Sequence, residues 1–429
     1  MTRRLLALAF TAFVALTLWA QEAQKREMRT VWIATVSNID WPQTRGTGTA
    51  TINKQKKQLT DLLDGFVKAN MNSVCLQVRP MADALYKSSY EPWSSYLTGT
   101  RGQDPGWDPL AFAVEECHKR GLEINAWVNP NRFSNSSGND CTTAIDQNLK
   151  NSGILMQVGN RIVFNPALKA SRDHLLKVCK EMIQNYDIDG IIFDDYFYPG
   201  GGTPEDSSAP DHQLYTQSNS GMSIGDWRRA NVNQMVKDMW DMVQATKPYV
   251  KFSIGPAGVA GQRSTSATKH GVVPVDEYCR ASDWQYTTIY SDPLAWLEEG
   301  TIDYISPQLY WKTNHTTNPF GPLTNWWSYI AEHFGRHHYA SHNIYFMEKT
   351  NTKADWDEIL QQIRYSRQYN RQNAPGVNFY SAKYIDGPTC KGFADYLSQT
   401  LFTHKALEPA MPWHSKTNYD APANLAYSG

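Results

Sequence analysis

The sequence predicts an α/β protein, specifically a (β/α)8 TIM barrel with long loops at the carboxyl ends of its strands. Short apolar runs alternate with helical patterns along the whole chain, and no internal repeat or low-complexity tract interrupts them. Strict strand–helix alternation is typical of parallel sheets, and eight such units close the sheet into a barrel. The chain of 429 residues exceeds the ~250 residues typical of this fold. The surplus must therefore lie in loops, chiefly residues 131–165, 197–222 and 260–291.

The eight strands are predicted where short apolar runs are bounded by turn residues. In chain order they are RTVWIATV (29–36), NSVCLQVRP (72–80), LEINAWVNP (122–130), DGIIFDD (189–195), VKFSIGPAGV (250–259), IDYISPQLYW (302–311), HNIYFM (342–347) and GVNFYSAKYI (376–385). Helices are predicted where apolar residues recur on one helical face, and one of them follows a capping box formed by Ser223 and Asp226. In chain order they span 57–70, 108–121, a segment around 175–183, 227–245, 292–300 and 356–368. We expect one domain over residues 27–402.

The two ends of the chain lie outside that domain. Residues 1–20 carry two arginines, an apolar run and small residues around Ala20, which is the pattern of a cleaved secretory signal peptide. No cysteine precedes Cys75, so we do not expect a lipid-modified cysteine, and no later run is apolar for long enough to span a bilayer. We therefore expect a soluble protein exported to the periplasm or the medium, neither a lipoprotein nor inserted in a membrane. Residues 403–429 read as a Pro-rich tail or linker.

The charge balance argues against two classes of partner. Without the two arginines of the signal peptide, 39 of the 41 basic residues remain against 42 acidic ones, a net charge near −3. Nucleic acids and anionic membranes both select for basic surfaces, so neither is an expected partner. The GGG at 200–202 is not followed by the Lys-Ser/Thr of a phosphate loop, and no cofactor is expected. We expect a monomer.

The histidines and cysteines form no recognisable metal site. His337, His338 and His342 lack a carboxylate or cysteine at ligand spacing, so no metal is predicted. The six cysteines include no CxxC pair. Buried free thiols are the simpler interpretation, and one or two disulfides remain open in an oxidising compartment.

Polar side chains alternate with apolar ones along three of the predicted strands. One face of a barrel strand meets the helices and the other meets the lumen, so the polar sets should climb the inner wall towards the rim where barrel enzymes carry their chemistry. These sets are Cys75, Gln77 and Arg79; Asn125, Trp127 and Asn129, continued by Asn131 and Arg132; and Ser306, Gln308 and Tyr310. Hydrogen-bonding groups beside flat rings indicate a carbohydrate-binding cleft. The rings that we assign to it are Trp127, Tyr196, Tyr198, Trp284, Tyr310 and Trp311.

Two adjacent carboxylates end the fourth predicted strand. Burying a carboxylate is costly unless it is paired or hydrogen-bonded, so their position at a barrel rim suggests catalysis. Adjacent strand residues face opposite ways, so only one of the two can point into the pocket unless the strand ends between them. Asp194 shares its face with Ile192 and Gly190, and we give it the inward position.

Glycosidic cleavage usually needs a second carboxyl group across the scissile bond. Asp195 is the local candidate, Glu205 lies in the following loop, and Asp283 and Asp303 are more distant. Arg79 and Arg228 could neutralise a carboxylate and so separate the pKa values of the acids, or they could form structural salt bridges.

Six segments together resemble the bacterial glycosyl-hydrolase-like 10 family. They are REMRTVWIATVSNIDWP, QVRPMADALY, AWVNPNRF, DGIIFDDYFYP, DWRRANVNQMV and YISPQLYW, and they follow the family's order over nearly the whole chain. The resemblance implies a (β/α)8 barrel with glycoside hydrolase activity. It also points to envelope proteins that act on peptidoglycan glycan strands stripped of their peptides.

The fourth strand alone also resembles the chitinase-type barrels. Asp189–Gly190, Asp194 and Tyr198–Pro199–Gly200 match their layout, and PQLYW resembles their sixth-strand tyrosine motif. The match breaks at Tyr196, which stands where the chitinase acid is a glutamate. The substrate-assisted mechanism that the resemblance implies therefore lacks its usual proton donor.

These observations predict an exported glycoside hydrolase that cleaves an N-acetylated glycan, with peptidoglycan strands as the first candidate. Asp194 is the leading catalytic carboxylate, with Asp195 or Glu205 as its partner. The residues expected to bind sugar hydroxyls or orient the acids are Gln77, Arg79, Asn129, Gln308 and Tyr310. Two alternatives stay open: a glycan-binding barrel without turnover, and a hydrolase of a dietary or host polysaccharide.

Overall fold

The computed structural model describes residues 24–414 and contains a closed parallel barrel. The predicted signal peptide and residues 415–429 of the predicted tail lie outside the described residues. The barrel strands are β1 Met28–Ile33, β2 Ser73–Arg79, β3 Glu123–Val128, β4 Gly190–Phe193, β5 Lys251–Ile254, β6 Tyr304–Ile305 with Gln308–Leu309, β7 His337–His338 with Ala340–Asn343, and β8 Gly376–Tyr380. β6 and β7 are each broken into two segments, and each segment of β6 pairs with one segment of β7. β7 also pairs with β8, and β8 pairs with β1, which closes the barrel. The predicted (β/α)8 architecture is confirmed.

A helix follows each strand. In chain order these eight helices are Thr49–Lys68, Pro109–Lys119, Lys169–Asn185, Ile224–Thr246, Pro293–Glu298, Phe320–His333, Lys353–Gln368 and Phe393–Thr400. Six of them match the predicted helices. Phe320–His333 was not predicted, because Gly321 and Pro322 look like helix breakers; both lie in the first turn, where a missing N–H costs nothing. Phe393–Thr400 was also missed.

The predicted position of the seventh strand is wrong. The sequence favoured 342–347, whereas β7 begins at His337 and Met347–Thr350 is a short helix. The signal was hidden because the inner face of β7 is polar: the Ser341 hydroxyl lies 2.9 Å from that of Ser306 and accepts a hydrogen bond from Trp32 Nε1 at 3.3 Å. An apolar run is therefore absent where the strand lies.

The long loops at the carboxyl ends contain regular structure. The loop at 131–165 holds a three-stranded antiparallel sheet of Arg132–Ser134, Leu155–Val158 and Arg161–Phe164. Short α-helices occur at Ser95–Thr98, Ala144–Asn151, His212–Ser218 and Trp284–Thr287. The 3-10 turns are Val36–Asn38, Val275–Glu277, Ala382–Tyr384, Pro388–Cys390 and Pro412–His414.

Apolar and polar side chains fill the lumen of the barrel in separate layers. Near the carboxyl ends the rings of Trp32 and Trp127 meet edge to face with centroids 4.8 Å apart. Below them polar groups bond to one another: Asn125 Nδ2 donates to Ser73 Oγ at 2.9 Å. The inward polar positions that the alternation predicts on β3 and β6 are therefore real.

Residues 403–414 close the amino end of the barrel. The Leu407 N–H donates to the Lys25 carbonyl, and buried Lys251 pairs with both Glu123 and Glu408. Asp303 accepts the Trp413 indole N–H at 2.6 Å. The opposite end of the barrel therefore remains as the open face.

Within residues 24–414 the structure bears on two expectations from the sequence, namely those about membrane-spanning segments and about the cysteines. No helix in this range is long and apolar enough to cross a membrane. Five cysteines of this range are buried free thiols, namely Cys75, Cys117, Cys141, Cys179 and Cys279. Burial raises the pKa of the Cys141 thiol to about 11, so these groups are unreactive.

Candidate active site

A cleft of about 270 Å³ opens at the carboxyl ends of the barrel strands. Its walls come from the ends of β1, β2, β3, β4, β6 and β8 and from the loops that follow β3 and β7. The lining residues are Trp32, Val36, Gln77, Trp127, Arg132, Asp194, Asp195, Tyr196, Gln308, Tyr310, Tyr345 and Tyr380. Eight of these twelve residues are among the sequence candidates, so the strand-end reasoning brings most of its candidates to one place.

Both aspartates of the DGIIFDD motif line this cleft because β4 ends at Phe193. Strand alternation would send Asp194 and Asp195 to opposite faces, but it applies only while the chain remains a strand. The early end of β4 thus places two carboxyl groups on one wall.

Asp194 is buried, with 4% of its surface exposed. Its Oδ2 atom accepts hydrogen bonds from Trp127 Nε1 at 2.9 Å and Asn129 Nδ2 at 3.4 Å, while Oδ1 has no hydrogen-bond partner among residues 24–414. Burial, and then the charge of Asp195, raise the pKa of Asp194 to about 7. This carboxyl group therefore holds a proton in a large fraction of molecules at neutral pH, as a general acid must.

Asp195 is the more exposed of the two carboxyl groups. Burial raises its pKa, and a hydrogen bond from the Gln308 side chain and the charge of Arg132 act in the opposite sense. Gln308 is itself fixed, because its Nε2 atom donates to the Gly255 carbonyl at 3.0 Å. The two carboxyl groups thus have different environments, which is how one site separates an acid from an anion.

Arg132 supplies the positive charge of the cleft. Its backbone N–H donates to Asn129 Oδ1 at 3.1 Å, and its guanidinium carbon lies 3.7 Å from the centroid of the Tyr196 ring. Its charge lowers the pKa of both Asp194 and Asp195. The same stacking leaves Tyr196 with 46% of its surface exposed, while burial raises the pKa of its hydroxyl. Tyr196 is therefore too weak an acid to replace the chitinase glutamate.

Aromatic rings form the other walls. The rings of Tyr310 and Tyr380 lie 5.7 Å apart, and Tyr345 meets Tyr380 edge-on at 6.5 Å. Tyr345 is 46% exposed at the mouth. Flat rings with hydroxyl groups at their edges suit a ligand that has apolar faces and polar edges, such as a sugar.

Gln77 supports the cleft from below. Its Oε1 atom accepts the backbone N–H groups of Thr35 at 2.9 Å and Val36 at 2.8 Å. These bonds hold the segment that follows β1 against β2, so part of the polar capacity of Gln77 is used by the protein itself.

Three candidates at the ends of β2 and β3 do not line the cleft. The pairing register shifts between Gln77 and Arg79, which turns the Arg79 guanidinium away from the lumen. It forms a buried pair with Glu91 at 2.6 Å. Asn129 lies directly behind Asp194, and Asn131 Nδ2 donates to the Phe197 carbonyl at 2.9 Å. Arg79 and Asn131 thus brace the strand ends.

The candidates in the loop after β4 also lie elsewhere. Arg228 forms a buried salt bridge with Asp211 at 2.6 Å, and the Tyr198 ring packs in the same cluster. Glu205 accepts a hydrogen bond from Tyr290 at 3.0 Å and is not among the residues that line the cleft. Of the two arrangements considered for Arg228, the structure contains the salt bridge.

The remaining distant candidates divide between two ends of the barrel. Trp284 is 39% exposed beside Gly200, outside the lining of the cleft. Asp283 caps the short helix that begins there, and Asp303 lies at the closed amino end. Trp311 lines a neighbouring cavity that shares Tyr310 with the cleft.

Four lining residues were not predicted. They are Trp32, Val36, Tyr345 and Tyr380. Trp32 and Tyr380 carried a usable signal, because each is an inward residue at the end of its strand. Tyr345 carried none, since its segment was interpreted as a strand.

Within the described part of the chain, no group of three or more His, Cys, Asp or Glu side chains is arranged to hold a metal ion. The three histidines near β7 have separate partners. His337 contacts the Tyr339 hydroxyl, His338 contacts Ser328 and His342 contacts Gln362. They pack inside the fold.

Comparison with known proteins identifies the family of this chain. The profile of the family described as "Glycosyl hydrolase-like 10" matches residues 27–357. "Glycosyl hydrolase YngK" of Bacillus subtilis is 38% identical over 428 residues, covering 97% of this chain and 80% of that protein. "Glycosyl hydrolase DigH" of Escherichia coli K12 is 31% identical over 353 residues, covering 78% and 77%.

Solved structures share the architecture at low identity. The glycoside hydrolase domain of PgaB (BpsB) from Bordetella bronchiseptica has a TM-score of 0.55 at 11% identity, covering 86% of this chain and 99% of that one. The catalytic domain of the β-amylase from Paenibacillus polymyxa has a TM-score of 0.55 at 10% identity, covering 89% and 99%. At these identities the likeness shows the barrel fold alone. The family profile and the two relatives show more: the chain belongs to the glycosyl hydrolase-like 10 family and is a glycoside hydrolase.

Proposed function

We propose that the protein is an exported enzyme that hydrolyses glycosidic bonds in an N-acetylated glycan, namely the glycan strands of peptidoglycan. Asp194 is the general acid and Asp195 is the anionic partner. The observation that carries this assignment is the pairing of a carboxyl group with a pKa of about 7 and a second carboxyl group beside it in one open cleft. No equivalent pair was found among the other candidates.

In this mechanism the proton of Asp194 passes to the oxygen of the leaving sugar. We assign the transferred proton to Oδ1, the carboxyl oxygen of Asp194 without a hydrogen-bond partner in residues 24–414, because Oδ2 is held by Trp127 and Asn129. Asp195 then stabilises positive charge at the sugar carbon, acting as nucleophile, base or electrostatic partner. Burial raises the pKa of Asp195, while the Gln308 hydrogen bond and the Arg132 charge favour its anionic form.

The substrate assignment rests on the resemblances. The family motifs point to peptidoglycan strands without stem peptides, and the fourth-strand motif points to sugars with N-acetyl groups. The aromatic walls of Tyr310, Tyr345 and Tyr380 support a sugar polymer rather than a small polar metabolite.

The test is product analysis by mass spectrometry on peptidoglycan glycan strands, with and without stem peptides. We expect the wild type to release sugar fragments, and Asp194→Asn to lose at least a hundredfold in rate, since positioned proton donors contribute about 10²–10⁴-fold. Asp195→Asn should fall similarly.

Glu205→Gln is the matched control, because this carboxylate lies in the loop after β4 but outside the cleft. If Glu205→Gln abolishes turnover and Asp195→Asn does not, the partner assignment is wrong. If the wild type binds the strands and releases nothing, the protein is a glycan-binding barrel towards them, and the same assay on host or dietary polysaccharides decides the remaining alternative.

A further inference from the structure

A second cavity of about 310 Å³ adjoins the catalytic cleft, and the Tyr310 ring is common to both linings. We call it the side pocket. Its lining also includes Trp311 and Lys312 after β6, Asn343 at the end of β7, and Phe346 after β7. Neither the proposed catalysis nor the lumen of the barrel uses these groups.

The ring of Trp311 forms a fixed platform in the side pocket. It lies so close to Gly258 that a Cβ atom on that glycine would be 2.6 Å from Trp311 Cζ3. The close approach locks the indole in place. The ring of His315, which also lines the pocket, lies 6.3 Å from the indole. Within residues 24–414 the Trp311 Nε1 atom donates no hydrogen bond, so this donor is available to a ligand.

Lys312 places a positive charge in the same pocket. Its ammonium lies 4.5 Å from the centroid of the Phe346 ring and 3.5 Å from Asp355 Oδ1. The hydroxyl groups of Thr350 and Thr352 donate to the other oxygen of this carboxylate, Asp355 Oδ2, at 2.7 and 2.8 Å, which leaves Oδ1 facing the Lys312 ammonium. No hydrogen bond from the Lys312 ammonium is present in the described range, and 48% of the side chain is exposed.

The other nearby carboxylate does not compete for this charge. Glu358 accepts hydrogen bonds from the Thr313 backbone N–H and hydroxyl, both at 2.7 Å, and from Gln362 at 2.9 Å. Both of its oxygens are therefore occupied. The Lys312 ammonium, half-exposed beside an aromatic wall and 3.5 Å from a single carboxylate oxygen, is suited to a second anionic group on a sugar.

We propose that the side pocket is a sugar subsite for a residue that bears a carboxylate, with Lys312 binding the carboxylate and Trp311 the sugar ring. This rests on the proposed function and names the sugar that it selects. Two chemical sources share the feature: the lactyl ether of a muramyl sugar and the carboxyl group of a uronic acid.

The spacing along the chain supports one continuous binding surface. Lys312 lies four positions after Gln308, which bonds Asp195, and four residue steps span at most ~14 Å when fully extended. A carboxylated sugar in the side pocket is therefore within the length of a short oligosaccharide from the bond to be cleaved.

The test measures binding by titration calorimetry, with Asp194→Asn as the host so that ligands are not cleaved. The probes are muramyl-containing glycan oligosaccharides without peptides, alternating N-acetylglucosamine–glucuronate oligosaccharides, and both after conversion of their carboxyl groups to methylamides. We expect amidation to weaken binding of the correct source about tenfold, the size of a lost charge-assisted hydrogen bond. Lys312→Gln should weaken the acid form equally and leave the amide form unchanged, and Lys312→Arg should restore the preference.

Lys349→Gln is the matched control, because this exposed lysine lies near the pocket but outside its lining. A preference for acid over amide in either source supports the subsite and identifies that source. Equal binding of acid and amide, an equal effect of Lys349→Gln, or no binding of any probe overturns it. Because turnover is not measured, the proposed cleavage stands or falls separately.

Discussion

At the scale of single residues, the mechanism that we propose depends on the proton of Asp194. A general acid must be protonated and its partner ionised, so rate should fall on both sides of an optimum. Since the pKa of Asp194 is about 7, kcat/KM should decline as pH rises through about 7. The fall in kcat/KM on the acid side should follow protonation of Asp195. Because the pKa of Asp195 is raised, this fall should occur at a higher pH than for an ordinary aspartate.

Arg132 provides the internal check on that pH profile. Its charge lowers the pKa of both carboxyl groups, so Arg132→Gln should move both limbs to higher pH as well as reduce the rate. Arg371→Gln, an exposed arginine on the outside of the barrel, should move neither. If the pH profile of Arg132→Gln has both limbs at the wild-type positions, the assignment of the two limbs to Asp194 and Asp195 is contradicted.

The same burial predicts that Asp194 destabilises the protein at high pH. Its pKa is raised in the folded state, so its contribution to stability is fully present below pH ~4 and is lost as pH rises through about 7. Asp194→Asn should therefore unfold at a higher urea concentration than the wild type at pH 8. Its free energy of unfolding should be larger by roughly 2–4 kcal/mol.

Urea unfolding at pH 8 and near pH 4 measures this difference, which should vanish at the lower pH. Asp206→Asn serves as the control, because Asp206 is exposed in the loop after β4. A variant that is inactive and less stable at pH 8 would show that Asp194 is structural instead.

At the scale of elements, β4 depends on Gly190. A Cβ atom on this glycine would overlap Asn125 Oδ1 and lie 3.2 Å from the Lys251 carbonyl oxygen, inside the barrel. Overpacking of a filled core costs about 1–3 kcal/mol, so Gly190→Ala should lower the free energy of unfolding by that amount. Adding Asn125→Ala should recover part of the loss.

Gly201→Ala is the control for β4, since a Cβ atom there meets nothing within 4 Å. Thermal unfolding of the wild type and these three variants is sufficient. If Gly190→Ala is as stable as Gly201→Ala, the lumen is less tightly packed than these contacts indicate.

The sequence predicts elements best where one face is apolar. Helix Ile224–Thr246 follows its Ser223 cap, and the alternation in β3 places Trp127 inward. It predicts poorly where backbone geometry intervenes. The register shift at Arg79 and the end of β4 at Phe193 leave no mark in residue type, yet they decide which side chains reach the cleft.

At the scale of the whole molecule, the segment 403–414 ties the amino end of the barrel together. His414 Nε2 lies 2.6 Å from Asp303, whose proximity raises the pKa of the imidazole. The charged pair stabilises the fold fully below the unfolded pKa of about 6.5 and is lost as pH rises through the raised folded value. His414→Gln should thus cost about 1 kcal/mol at pH 6 and almost nothing at pH 9.

His404→Gln in the same segment is the matched control, because this histidine is exposed and its ring contacts the Thr403 hydroxyl rather than Asp303. Activity below the melting temperature should not change in either variant, because the cleft lies at the other end. Equal losses at pH 6 and pH 9 would assign His414 a packing role only.

The contact between Lys25 and Leu407 has a practical consequence for handling the enzyme. Because both ends of the described chain meet on the face opposite the cleft, an anchor attached through Gln24 or through His414 would hold the molecule with its mouth directed away from the support. An immobilised preparation should consequently keep its access to insoluble polymer, whichever end carries the linker.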